Sequence, residues 1–77
     1  MDTVKLGKYQ RYKGQFYKVI WIAKHSETLE ELVVYIALYT SEEFGDNAMR
    51  VRPKDMFFED IVVNWVRQPR FKFISNI

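Results

Sequence analysis

The chain has 77 residues, of which 48% are hydrophobic, 17% aromatic and 29% charged, and its formal net charge is +2. A chain of this length and composition is predicted to form a single small domain over residues 1–77. There is no cysteine and only one histidine, which excludes disulfides, thiol nucleophiles and a four-ligand zinc site, so we expect neither a metal nor a cofactor. We also expect a cytoplasmic protein, since no apolar stretch approaches the roughly 20 residues that span a bilayer.

Charge is distributed unevenly along the chain. Residues 1–24 contain six Lys or Arg and one Asp, residues 25–48 contain six acids and no Lys or Arg, and residues 49–77 have a net charge of +3. If the two basic segments fold onto one side, the molecule has a face suited to phosphate or to an acidic partner. The alternative is that the acids occupy two surface loops while basic residues cover the outsides of strands.

The first half of the chain predicts three strands. Two of them, at 7–12 and 15–23, flank Lys13-Gly14, where a glycine supplies the positive φ of a tight hairpin. The third runs over 32–39, and the segment 24–31 before it is predicted as a wide hairpin loop, with one capped helical turn as the alternative. The second and third strands are apolar on both faces, which favours the middle of a curled sheet or small barrel.

The second half predicts shorter elements. In chain order they are an acidic loop at 40–48, a strand at 49–52, a helical turn at 54–57 after Pro53, a strand at 58–63, a connection at 64–69 and an edge segment at 70–74. The outline is that of a mostly β fold, a small SH3-like β barrel of about five strands with one short helical turn. An OB-type barrel is the alternative.

Two runs of residues are candidates for polar chemistry. In the run His25-Ser26-Glu27-Thr28, His25 and Glu27 share a face of an extended chain, so the carboxylate is placed to hold one imidazole tautomer. Catalysis is one interpretation of this run and ligand binding is another. The structural alternative is that the two hydroxyls bond to the local backbone while His25 packs or bonds nearby.

Two arginines lie beside prolines, which restrict the backbone next to them. Arg52 and Arg70 are therefore expected to be held in place, ready to bind a carboxylate or phosphate in a bidentate manner. An internal partner, Glu27 or Glu59, is the alternative.

Aromatic residues form the last candidate group. Three tyrosines at strand ends are expected to reach solvent and offer flat faces to a ligand, namely Tyr9, Tyr12 and Tyr39. Interleaved cations would meet a backbone phosphate, namely Lys8, Arg11 and Lys13. Core positions are expected for Trp21, Val34 and Tyr35.

Several short motifs occur together and in order along the chain. They are Gly7-x-Tyr9, Tyr12-Lys13-Gly14-x-x-Tyr17-x-Val19, His25-Ser26-Glu27-Thr28, Val33-Val34-Tyr35, Val51-Arg52-Pro53 and Pro69-Arg70-Phe71. At this spacing the chain resembles the small bacterial family catalogued as domain of unknown function 1653. The resemblance covers nearly the whole chain and implies a compact β-rich barrel. It implies no established activity.

These observations favour a non-enzymatic binding module for an anionic ligand, which is a nucleic acid, a nucleotide or an acidic peptide. The expected ligand-binding residues are His25, Ser26, Glu27, Thr28, Arg52, Arg70, Tyr9, Tyr12 and Lys13. One alternative is a small hydrolase or nucleotide-processing enzyme that uses His25 with Glu27. Another is a structural subunit with a protein partner. A membrane partner is not expected, and the oligomeric state is left open.

Overall fold

The computed structural model describes residues 4–41 and 45–76. Its elements are β1 (Gly7–Arg11), β2 (Phe16–Lys24), β3 (Glu31–Ala37), β4 (Thr40–Ser41), β5 (Gly45–Asp46), β6 (Met49–Pro53), α1 (Lys54–Phe57), β7 (Asp60–Val63), β8 (Val66–Pro69) and β9 (Phe71–Ser75). The mostly β fold with one short helical turn is confirmed. In these two ranges no helix has the length and apolar character needed to cross a membrane. Part of the predicted acidic loop, 42–44, lies outside the described residues.

A five-stranded antiparallel sheet in the order β6-β3-β2-β1-β9 holds the fold together. Two ribbons, β4–β5 and β7–β8, lie outside it. In the described part of the chain β6 and β9 are the sheet edges and do not pair with each other. The architecture is therefore compatible with an SH3-like arrangement but is not a closed barrel. The edge position predicted for 70–74 is confirmed, because β9 pairs with β1 at the border of the sheet.

The inner face of the sheet forms the core. Side chains at every second position of β1, β2 and β3 point to this face, as the period of a strand requires. Phe57 of α1 is fully buried against them and stacks on Phe71 of β9, with ring centroids 4.2 Å apart. The single helical turn thus closes the core. The buried residues are Tyr9, Tyr17, Val19, Val33, Tyr35, Ala37, Phe57 and Phe71, which confirms the core position predicted for Tyr35.

The opposite face of the sheet, called the outer face below, is open to solvent. A bulge in β2 between Val19 and Trp21 places Trp21 directly opposite Val34, which points outward. Trp21 is consequently 66% exposed, and the core positions predicted for Trp21 and Val34 are wrong. Simple alternation cannot anticipate a bulge, because one extra residue moves every later side chain to the other face.

Residues 64–69, predicted as a connection, contain strand β8. Asn64 and Trp65 have φ values of 51° and 68°, and they form a two-residue turn between the paired residues Val63 and Val66. Positive φ at both central positions is the geometry of a type I′ turn, which normally contains glycine. The sequence has no glycine here, so the hairpin was not evident from it.

We expect Trp65→Gly to stabilise the domain. Trp65 is 99% exposed, so its side chain adds no packing, and its left-handed backbone costs about 1–2 kcal/mol. Glycine removes that strain but loses roughly 0.5–1 kcal/mol of chain entropy, which leaves a net gain of about 0.5–1 kcal/mol in the free energy of unfolding, measured by urea denaturation. As a control, Val66→Gly within β8 should destabilise. A loss of stability for Trp65→Gly would contradict the prediction.

Candidate anion-binding site

His25 organises the loop between β2 and β3 through its Nδ1 atom. Nδ1 accepts hydrogen bonds from the backbone N–H groups of Glu27 at 3.1 Å and Thr28 at 3.4 Å. The Thr28 hydroxyl oxygen accepts another from the N–H of Glu30 at 3.2 Å. Because Nδ1 is an acceptor, the neutral ring carries its proton on Nε2. The wide loop predicted over 24–31 is confirmed, and Thr28 bonds to the local backbone.

Glu27 does not hold the imidazole in the way that an extended chain would allow. Residues 26–28 form a turn, so positions 25 and 27 no longer share a face, and Glu27 contacts the ring through its backbone N–H. Within the described residues no group of three His, Cys, Asp or Glu side chains forms a potential metal site. The pairing of base and carboxylate on which the hydrolase alternative depends is therefore not formed.

Both candidate arginines make contacts within the protein. Arg70 Nη2 donates a hydrogen bond to Glu59 Oε1 at 2.9 Å, which is the internal pairing that the sequence allowed. Arg52 Nε donates to the Tyr35 hydroxyl at 3.5 Å, and its guanidinium lies 5.9 Å from the centroid of the Phe71 ring. In the part of the chain that the structure describes, Arg52 has no carboxylate partner. These contacts put the Arg52 side chain at the border of the aromatic core.

Tyr9 lies in the core, so the prediction that it reaches solvent is wrong. It is only 3% exposed, and its hydroxyl donates to the carbonyl oxygen of Lys5 at 2.7 Å. The rings of Phe57 and Phe73 cover it at centroid distances of 5.4 Å each. Burial raises the pKa of Tyr9 above its ordinary value. Exposure was expected because Tyr9 lies near the end of a predicted strand. The sequence does not show that residues of α1 and β9 cover its ring.

A hydrogen-bonded pair of tyrosines connects the core to Arg11. The hydroxyl oxygens of Tyr17 and Tyr39 are 2.9 Å apart, and Tyr39 is half-buried rather than fully at the surface. Burial raises the pKa of Tyr17, the bond to Tyr39 raises it further, and the nearby Arg11 guanidinium acts in the opposite direction. Arg11 therefore lies at the end of the core with its charge next to a neutral phenol.

Arg11 also lines a cleft of about 380 Å³ where β1, β8 and β9 meet, called the basic cleft below. The residues around it are Gln10, Arg11, Tyr12, Gln68, Pro69 and Lys72. Both charged residues are cationic, and among the described residues no carboxylate lines the cleft. The Nε atoms of Arg11 and Arg70 are buried and have no hydrogen-bond partner in the described structure, while the Arg11 guanidinium also donates to the Tyr17 hydroxyl. The charge of Arg11 lies at the cleft without a carboxylate to balance it, which suits an anion.

The β1–β2 turn forms one wall of the basic cleft. The centroid of the Tyr12 ring lies 5.5 Å from the guanidinium carbon of Arg11 and 5.8 Å from Lys13 Nζ. The Tyr12 N–H donates to the carbonyl oxygen of Arg70 at 3.0 Å, which fixes the turn beside β9. Gly14 has a φ of 103°, so the glycine predicted to make the hairpin does so.

The structure does not bring the predicted site residues together. Tyr12 lines the basic cleft with Lys13 and the backbone of Arg70 next to it, whereas the loop 25–28 lies beyond the far end of β2. Phe16–Lys24 spans roughly 26 Å at about 3.3 Å per residue. Tyr9 and Arg52 belong to the core and its border. Sequence reasoning did not find Gln10, Gln68 and Lys72 as site residues. The alternation of basic and apolar residues over 70–74 does indicate that Lys72 points outward, but not what it faces.

Comparison with known proteins relates the chain to relatives of unknown function. A family model described as "Protein of unknown function (DUF1653)" matches residues 7–73, which include every residue of the basic cleft. The crystal structure of a protein of that family from Bordetella bronchiseptica is similar, with a TM-score of 0.85 and 30% sequence identity. The similarity covers 96% of this chain and 91% of that one. Among curated proteins no match was found.

Proposed function

This chain belongs to the DUF1653 family of proteins of unknown function, and from its own surface we propose that it is a non-enzymatic binding module for an anionic ligand. The basic cleft is the observation that carries the proposal. Its volume of about 380 Å³ lies within the range of small-molecule sites, roughly 300–1,000 Å³. The solved relative is bacterial and this chain has no cysteine, so the proposal places the module in a bacterial cytoplasm.

The two cations of the basic cleft have different roles in this proposal. Arg11 is half-buried, and its planar guanidinium offers fixed donors to a phosphate or carboxylate. Lys72 is exposed and contributes a mobile point charge at the mouth of the cleft. The side-chain amides of Gln10 and Gln68 add both donors and acceptors, which can orient the rest of a ligand.

An NMR titration tests the proposal. Inorganic pyrophosphate, a nucleoside triphosphate and an acidic peptide are added separately to labelled protein at moderate salt. We expect at least one of them to shift the amide signals of 10–12 and 68–72. Shifts confined to the loop 25–28 would contradict an anion site in the basic cleft and would move it to that loop. No shift from any of the three anions would contradict anion binding and favour a structural role in a protein assembly.

Charge-removing variants make the same test quantitative. We expect Lys72→Gln to weaken the responding anion about tenfold, because a hydrogen bond to a charged group contributes roughly 1.5 kcal/mol or more. Arg11→Gln should weaken it at least as much. Lys24→Gln removes the same charge at the opposite end of β2 and should leave the affinity unchanged. Equal losses for Lys72→Gln and Lys24→Gln would show only a general charge effect.

A further inference from the structure

The outer face carries lysines and aromatic rings that lead away from the basic cleft. Gln10 of β1 lies between Phe16 of β2 and Lys72 of β9, and in the next row Lys8 lies opposite Lys18. Gln10 and Lys72 also line the basic cleft, so the cleft and this part of the outer face form one continuous surface. We call that surface the lysine–aromatic track.

The lysine–aromatic track contains no acidic residue. Apart from the residues at the two bulges, Ile20 and Ile74, the outward positions of β1, β2 and β9 are Lys8, Gln10, Phe16, Lys18, Trp21, Ala23, Lys72 and Ser75. The acids in the described ranges belong instead to the β2–β3 loop and its junction with β3, to β5, and to the segment from α1 to the start of β7. Although the net charge is only +2, acidic and basic residues lie in different places, and the lysine–aromatic track is cationic.

Two of the lysines on the track are placed unfavourably for the free protein. Lys8 and Lys18 are directly opposite each other on neighbouring antiparallel strands. Such a pair has Cβ atoms roughly 5 Å apart, and like charges in this position destabilise a sheet. A polyanion that lies across the two ammonium groups would turn this repulsion into two favourable contacts. A ligand that carries successive negative charges therefore suits this face.

Two exposed rings lie on the same face, Phe16 beside Lys8 and Trp21 further along β2, opposite Val34. Trp21 is 66% exposed and Phe16 is 36% exposed, roughly 16 Å apart along β2 at the usual rise per residue. Lys8 Nζ lies 4.3 Å from the centroid of Phe16, and Lys13 Nζ lies beside Tyr12 at the basic cleft. A ring with a cation next to it can stack on a base while the cation meets the adjoining phosphate.

We propose that the ligand is a single-stranded nucleic acid that runs from the basic cleft across the outer face to Trp21. The inference rests on the proposed function, since the cleft holds one end of the strand. Unpaired bases are required because rings on a sheet surface reach bases only when these are not stacked in a duplex. An acidic peptide would use the lysines but would gain little from Trp21. The combination of rings and lysines therefore favours nucleic acid.

Fluorescence anisotropy with a labelled oligothymidylate of about twelve nucleotides tests the charge part of this inference. For single strands the logarithm of affinity falls with the logarithm of salt by about 0.7 for each phosphate neutralised. We expect the double variant Lys8→Gln/Lys18→Gln to make this slope shallower by about 1.4. The matched control Lys24→Gln/Arg67→Gln removes two cations outside the track and the cleft, and it should keep the slope. A slope that changes equally in both would overturn the inference.

Tryptophan fluorescence tests the stacking part. In Trp65→Phe, Trp21 is the sole indole, and its emission should be quenched by the oligonucleotide. In Trp21→Phe, the remaining Trp65 should not respond. We expect Trp21→Leu to bind about tenfold more weakly and Trp65→Leu to bind as the parent does. Unchanged affinity for Trp21→Leu would overturn the inference, as would equal binding of polyglutamate, of a duplex or of anionic lipid vesicles.

The same experiments separate this inference from the proposed function. If pyrophosphate or a mononucleotide binds at the basic cleft but the oligonucleotide binds no more tightly, the cleft is an anion site and the single-strand inference fails. If neither these anions nor the acidic peptide binds, both proposals fail, and if only the peptide binds, the single-strand inference alone fails. Tighter binding of the oligonucleotide, together with the loss in Trp21→Leu, supports both. Trp21, Lys8 and Lys18 contribute little to the core, and circular dichroism of each variant checks that the fold is kept.

Discussion

Phe57→Ala is expected to lower the free energy of unfolding by about 3–5 kcal/mol, the usual cost of removing a buried aromatic ring. Phe57 has no solvent exposure, stacks on Phe71 at 4.2 Å and contacts Tyr9 and Tyr35 at centroid distances near 5.5 Å. It is the only buried side chain that α1 supplies. A domain of this length has a total stability of roughly 4–12 kcal/mol, so the substitution removes a large share of it and at the lower end of that range unfolds the variant.

The neighbouring residue supplies a matched control for this prediction. Phe58→Ala makes the same chemical change one position further along, where the ring is 40% exposed, and we expect a clearly smaller loss. Urea denaturation followed by circular dichroism measures both. Equal losses would mean that the short helix matters rather than the buried ring, and the view of Phe57 as the element that closes the core would then be incorrect.

Gly7→Ala is the second change with a large expected effect. Gly7 has a φ of 136°, a conformation that residues with a side chain rarely adopt, and a Cβ there would clash with the carbonyl oxygen of Ser75 and lie 3.0 Å from Asn76 Cα. Backbone strain alone costs roughly 1–3 kcal/mol, and the clash with backbone atoms adds to it. We expect a loss of at least about 3 kcal/mol and displacement of β9 from β1.

Gly14→Ala isolates the contribution of the clash. Gly14 also has a positive φ, 103°, but a Cβ there meets nothing within 4 Å. This variant therefore has the backbone strain without the collision, and its loss in urea denaturation should stay below that of Gly7→Ala. Amide hydrogen exchange adds a local measurement, since only Gly7→Ala should expose the N–H groups of β9. If the two variants lose equal stability and protection, the close approach of β1 and β9 does not matter energetically.

Local patterns in the sequence were enough to predict most of the strands. The hairpin at Gly14 follows from a residue that permits positive φ, and the core position expected for Tyr35 is confirmed. The same rules failed at Trp21, where a bulge reverses the faces, and at Trp65, where a turn with positive φ has no glycine. In both places tertiary packing imposes a backbone conformation that local sequence patterns do not indicate.

The candidate site was predictable only in part, for a different reason. Tyr12 and Lys13 were singled out because aromatic and basic residues alternate locally; in the structure Tyr12 lines the basic cleft and Lys13 lies beside its ring. Lys72 completes the cleft only because β9 pairs with β1, and no spacing in the sequence reveals that pairing. The segment around His25 has the composition of a reactive site, yet in the folded turn Nδ1 of His25 accepts hydrogen bonds from backbone N–H groups.

The pairing of β1 with β9 also has a kinetic consequence. It joins Lys8 to Ser75, positions that differ by 67 in the chain, whereas the β7–β8 hairpin joins neighbours within ten residues. Closing the long loop costs entropy before any contact is gained, so hairpins form in microseconds while such sheets complete in milliseconds to seconds. Because the basic cleft lies between these strands, it exists only once this pairing has formed. Any ligand held there would select the completed fold and slow its opening.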